Sequence, residues 1–129
     1  MSQPTIDGQI TFIYVSDLSA SADFYERLMG FKLWLDQGTC RIYRVIADAY
    51  IGICQTSAAS KGRARQQPDN IILTIVTADV DGWYNWLREQ GAALEHPPQT
   101  NDKYNIYHCF LRDPDGHLVE IQRFLHDTD

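Results

Sequence analysis

An ionisable side chain inside an apolar run is where chemistry is first to be looked for, and Glu120 in the segment LVEIQRF (118–124) is such a residue. In a strand its side chain alternates with those of Val119 and Ile121 and shares a face with Leu118 and Gln122. If Val119 and Ile121 pack under a helix, Glu120 looks out of the other face with apolar neighbours. A partly desolvated carboxylate there suits a general base, or an anchor for a donor or cation on a ligand. The same residue could equally be held by hydrogen bonds from neighbouring strands. His108, in the strand-like segment NIYHCFLR (105–112), could be its acid–base partner, a metal donor or a structural ring. His96 abuts Pro97 and Pro98 and reads as a loop residue, while His117 and His126 read as solvent-facing. Arg41 and Arg44 could meet an anionic ligand group or pair with Glu120. Three cysteines, Cys40, Cys54 and Cys109, form no CxxC, so neither a zinc site nor a redox pair is signalled. Each is expected to pack as a small apolar residue with its thiol reduced.

The elements that must position these residues occur twice. Residues 10–35 read as strand, helix, strand: ITFIYV is apolar and β-branched, Asp17 and Ser19 are candidate helix caps, and a helix is predicted from about Ala20 to Met29. Gly30 ends it and FKLWL resumes as a strand. Residues 72–94 repeat the scheme, with ILTIVT, the cap Asp79, an amphipathic helix carrying Val80, Trp83, Tyr84 and Leu87, and the terminator Gly91. Trp83, Tyr84 and Leu87 are expected to join helix to sheet. Ile10 and Ile72 each lie seven residues before their cap, so the copies start 62 residues apart. The tails match at an offset of 67, DAYIGICQ (48–55) against DGHLVEIQ (115–122). Each copy is thus strand, helix, three strands, over residues 8–55 and 70–124 of a single domain. The polar stretch 56–69 between them is a linker, a flap or a clasp on a partner subunit.

Two segments, DLSASADFYERLMGF (17–31) and FLRDPDGHLVEIQ (110–122), resemble the first helix and final hairpin of the vicinal oxygen chelate superfamily, which includes glyoxalases, bleomycin-binding proteins and extradiol dioxygenases. The resemblance runs from about Gly8 to Phe124. It implies an α+β fold of two tandem βαβββ modules forming a curved mixed sheet around a cleft, with helices on the convex face. Metal-dependent members take His or Gln from the first strand of each module and Glu from the last. Those positions fall here on Ile10, Ile72, Ile53 and Glu120, of which only Glu120 offers a lone pair. A divalent cation wants several oxygen or nitrogen donors, so the resemblance implies no metal ligands and no cofactor; one divalent metal on displaced ligands is the alternative. Phe12 and Tyr14 share a strand face with Ile10 and should look into the cleft. Tyr104 and Tyr107 should flank its rim. With Ile53, Ile72, Glu120 and Gln122 they would make an apolar site with a few polar groups.

Composition limits the partners. Lys plus Arg is 11 against 17 Asp plus Glu, a net charge of −6, which argues against nucleic acid because phosphate binding needs a concentrated basic surface. No apolar run approaches the roughly 20 residues that span a bilayer, and MSQPTIDGQ lacks a signal-like apolar core. A cytoplasmic chain is expected, and the resemblance adds a homodimer. Two functions remain. One is a small-molecule-binding protein of the glyoxalase/bleomycin-resistance type, sequestering an amphipathic drug or metabolite without the metal. The other is a glyoxalase-like lyase, isomerase or dioxygenase using Glu120, with His108, with or without a divalent metal.

Overall fold

A computed structural model describes residues 3–57 and 70–127, so residues 58–69 of the expected 56–69 linker lie outside the described residues. The chain divides into two compact units, Met1–Gln66 and Gln67–Asp129, and each is an α+β unit built on its own mixed sheet. Among the described residues no helix is long and apolar enough to cross a membrane.

In the first unit, β1 (Ile10–Val15) runs into helix α1 (Leu18–Asp23), which continues as a π-helical turn over Phe24–Leu28. Strands β2 (Lys32–Asp36), β3 (Cys40–Ile46) and β4 (Ala49–Gln55) follow, and the sheet order is β1-β4-β3-β2. Asp17 caps the helix: its Oδ1 accepts from the backbone N–H of Ser19 (3.1 Å) and Ala20 (3.3 Å), satisfying donors that an open first turn leaves unpaired. At the other end Met29 N–H donates to Phe24 O and Phe31 N–H to Tyr25 O, both at 2.9 Å. Gly30 takes the left-handed conformation (φ 75°) that this exit requires. Gln55 ties the last strand to the helix start, accepting from Leu18 N–H (2.8 Å) and donating to Ser16 O (2.6 Å). Alternation sorts β1 cleanly. Ile13 and Val15 are buried on the helix-covered face, while Ile10, Phe12 and Tyr14 lie on the open one.

The second unit repeats the plan with β5 (Ile72–Val76), α2 (Val80–Glu89), β6 (Ala93–Leu94), β7 (Gln99–Asn101), β8 (Ile106–Arg112) and β9 (Leu118–Phe124). Its sheet order is β5-β9-β8-β6, with β7 also paired to β8. Asp79 caps α2 by accepting from Gly82 N–H (2.9 Å). Val80 and Leu87 are fully buried, whereas Trp83 and Tyr84, expected in the core, are only half-buried. The chain just after His96, which reads as a loop residue in the sequence, forms β7. It and β6 are two pieces of one edge strand, interrupted at His96-Pro97-Pro98, because prolines have no N–H to give the ladder. The turn 113–117 is organised by Asp113, whose Oδ1 accepts from Asp115 N–H (2.9 Å) and His117 N–H (2.8 Å). His117 is therefore not a free surface ring: its Nδ1 lies 2.9 Å from Asp113 Oδ2. That hydrogen bond raises its pKa above the ordinary histidine value, with burial opposing.

The expectation for the cysteines needs correction. Cys40 and Cys54 stand directly opposite each other in β3 and β4 with Cα atoms 4.1 Å apart, and they form a disulfide. Their separation of 14 in sequence hides an adjacency that only strand register creates. Cys109 is buried in the core of the second unit, as expected.

Candidate functional site

The polar centre of the second unit forms where three strands lie side by side. The pairing sets Thr74 opposite Glu120, and His108 opposite Gln122. Residues in register share a face, so Thr74, His108, Glu120 and Gln122 all project from the side of the sheet away from α2. Val119 and Ile121 point the other way into the core, as their alternation demands. His108, Glu120 and Gln122 are each less than a tenth exposed.

The Glu120 carboxylate is met from three directions. Thr74 Oγ1 donates to Oε1 at 2.8 Å, and His108 Nδ1 lies 2.7 Å from Oε2. With its amide nitrogen turned inward, Gln122 donates to the same two oxygens at 3.3 and 3.2 Å. A buried carboxylate is costly unless its lone pairs are filled, and here protein donors fill them. The carboxylate is accordingly not the free base that strand alternation alone allows. It orients His108: with Nδ1 carrying the shared proton, the ring presents Nε2, which has no hydrogen-bond partner among the described residues. His96, read as a plain loop residue, closes one side. Its Nδ1 is 2.7 Å from Pro97 O, and its ring packs edge-on against His108 and Phe110, both at 5.9 Å between centroids. Ile72 and Val76 border this polar group on the same sheet face and are well exposed. Tyr104 is exposed in the turn before β8, its N–H bound to Asn101 Oδ1 (3.2 Å).

Tyr107 belongs elsewhere. As the strand neighbour of His108 it must face the opposite side, and its hydroxyl donates to Asp81 on α2. It lies on the helix side of the sheet, not at a rim of the open face.

In the first unit, Ile10, Phe12 and Tyr14 share the open face. Ile53 does not: it pairs with the buried Ile13, is wholly inaccessible, and packs in the core beneath α1. The register places Gly52, opposite Phe12, where the other unit has Glu120 opposite Thr74. A Cβ on Gly52 would lie closer to the nearest atom of the Phe12 ring than real contacts allow, so the aromatic ring occupies the space of a second carboxylate. Arg41 Nε lies 3.9 Å from Asp36, and Arg44 donates to the Tyr50 hydroxyl at 3.0 and 3.2 Å. The positions from which the resemblance would draw metal donors are thus Ile10, Ile72, Gly52 in place of Ile53, and a Glu120 whose oxygens are already engaged. That set does not fit a divalent cation, and no group of three or more His, Cys, Asp or Glu side chains among the described residues is placed to hold one.

Comparison with known proteins agrees with this architecture. The family model described as glyoxalase/bleomycin resistance protein/dioxygenase superfamily matches residues 8–121. Metallothiol transferase FosB of Staphylococcus haemolyticus is 24% identical over 109 residues, 83% of this chain and 76% of that protein. Among solved structures, a lactoylglutathione lyase from Agrobacterium tumefaciens superposes with a TM-score of 0.73 at 20% identity, covering 94% of this chain and 96% of the other. A glyoxalase/bleomycin resistance protein/dioxygenase from Nocardioides reaches 0.77 at 19% identity, over 100% and 89%. At such identities the likeness carries the fold alone.

Proposed function

Given that the chain belongs to the glyoxalase/bleomycin resistance protein/dioxygenase superfamily, we propose that it binds a small amphipathic drug or metabolite without a metal at the superfamily's usual positions. The observation that carries this reading is the closed shell around Glu120. Thr74, His108 and Gln122 supply the donors that a cation would otherwise replace. The exposed apolar residues Ile72 and Val76 border the same group, the mix of apolar wall and few polar atoms typical of small-molecule sites. In this reading His108 Nε2 makes the polar contact with the ligand, and Glu120 holds the ring for it.

Calorimetric titration with bleomycin and with lactoylglutathione, before and after EDTA treatment, tests the proposal, together with elemental analysis of the purified protein. Binding of either compound, unchanged by EDTA and weakened by a few-fold to about tenfold by His108→Gln, is the expected result; a neutral hydrogen bond of about 0.5–1.5 kcal/mol sets that scale. About one divalent metal per chain, with binding lost on chelation, would overturn it.

One observation favours catalysis as a second reading. A histidine whose Nδ1–H is held by a carboxylate is set up to accept a proton at Nε2. A lyase or isomerase working by proton transfer would use that pair, and turnover of lactoylglutathione abolished by His108→Gln would establish it.

A further inference from the structure

We propose that Cys40 and Cys54 form a reversible thiol–disulfide exchange site on the open face of the first unit. The two residues are a cross-strand pair, and the hydrogen bond from Gln55 N–H to Thr39 O (2.8 Å) just beyond them marks it as a non-hydrogen-bonded pair. Side chains approach most closely at such positions, so sulfurs at Cys40 and Cys54 meet without any movement of the strands. Cys54 is also in register with Tyr14, which puts the sulfurs on the face that carries Ile10, Phe12 and Tyr14. Both cysteines are partly exposed, and exchange requires that a thiolate reach a sulfur. Cys109 offers the contrast: it is fully buried, and burial pushes its thiol up to about 11.

The bond also adds little that the fold lacks. It closes a stretch of 14 residues that the β3–β4 ladder already closes by backbone hydrogen bonds from Cys40↔Cys54 to Ile46↔Ala49. Opening it leaves that ladder intact, so the pair can cycle within the folded protein. The co-reactant is a low-molecular-weight disulfide. One cysteine thiolate attacks it, forming a mixed disulfide and releasing one small thiol. The second cysteine thiolate then attacks the protein sulfur, forming the Cys40–Cys54 bond and releasing the second small thiol. Two cysteines are oxidised, one small disulfide is reduced, and the two protons leave with the released thiols. The reverse sequence reduces the pair.

The test equilibrates the full chain in mixtures of reduced and oxidised glutathione. Acid quenching, unfolding and alkylation with N-ethylmaleimide come next, and the intact mass is measured. With three cysteines in the chain, three alkyl groups are expected at the reducing end and one, mapping to Cys109, at the oxidising end. A single two-electron transition should join them, with native near-ultraviolet dichroism in both forms. Cys54→Ser should instead retain one glutathionyl group on Cys40 at the oxidising end. Three alkyl groups at every ratio would overturn the proposal. So would one alkyl group even in excess dithiothreitol, a lasting glutathione adduct on the wild type, or unfolding on reduction.

Discussion

Replacing Glu120 with glutamine keeps the length and shape of the side chain and removes one charge from a group that is less than a tenth exposed. The change reaches each of its three partners differently. Thr74 can still donate to the remaining oxygen, now a neutral acceptor. Gln122 can turn its amide to meet the new one. With Thr74 still donating to the remaining oxygen, the amide N–H faces His108 Nδ1 at 2.7 Å and needs a lone pair there, so in this arrangement the ring proton moves to Nε2. Hydrogen bonds to a charged group contribute about 1.5–3 kcal/mol and neutral ones about 0.5–1.5 kcal/mol. Three downgraded bonds, offset by relief from burying a carboxylate, leave an expected net loss of about 1–3 kcal/mol in unfolding free energy. Urea denaturation at neutral pH reads the stability, and nitrogen chemical shifts of the His108 ring read the tautomer. An unchanged urea midpoint together with a proton still on Nδ1 would refute the claim that the carboxylate positions the ring. Loss of ligand contact at His108 should accompany the tautomer change, because Nε2 turns from acceptor to donor.

Other residues give independent checks. Gly52→Ala should cost about 1–2 kcal/mol through overpacking against Phe12, and Phe12→Ala in the same chain should recover most of it in thermal melts; equal losses in both backgrounds would contradict the packing described. In the folded protein Cys109 should resist alkylation at about pH 8 for as long as the fold persists, since its thiol sits near 11, and prompt labelling would show its strand to be open. His117 is held above its ordinary pKa by Asp113. The fold therefore favours the protonated ring, and this stabilisation is full below the unfolded value of roughly 6.5 and disappears as pH rises through the higher folded value. The stability advantage of the wild type over His117→Gln should accordingly be full below about pH 6.5 and shrink as pH rises through the higher folded value; a difference that stays constant as pH rises from about 6 into the alkaline range would disprove the linkage.

Local patterns in the chain predicted much of this architecture. Asp17 and Asp79 cap the two helices because a carboxylate before an apolar stripe has few better uses, and Gly30 and Gly91 take positive φ after the last turns. The outward placement of Glu120 follows from simple alternation with Val119 and Ile121. What failed was register between strands, which no single segment encodes. A gapless offset of 67 matched Ile53 to Glu120, yet the pairings of β1 with β4 and β5 with β9 make Gly52 its counterpart. One residue of slip reverses the face of every side chain, which moved Ile53 from open surface to core. The same alternation that places His108 excludes Tyr107 from its side, a constraint the sequence contained and the expected rim ignored. The Cys40–Cys54 contact and the His96 ring over His108 depend on chain segments brought together only by the sheet. Neither leaves a local trace.

The parallel pairing of first and last strands has a kinetic consequence. Ile10 meets Tyr50 and Ile72 meets Leu118, so each sheet is completed by contacts spanning some 40 residues or more of its own unit. Loop-closure entropy must be overcome before such contacts reward the chain. During synthesis neither unit can shut its sheet until its final strand has left the ribosome, and until then β1 or β5 waits with an unpaired edge. Among the described residues the last strand of the first unit ends at Gln55, well before β9 is made. At about 5–20 residues per second, translation of the remainder leaves several seconds in which that half can fold without competition from the similarly patterned strands of the other.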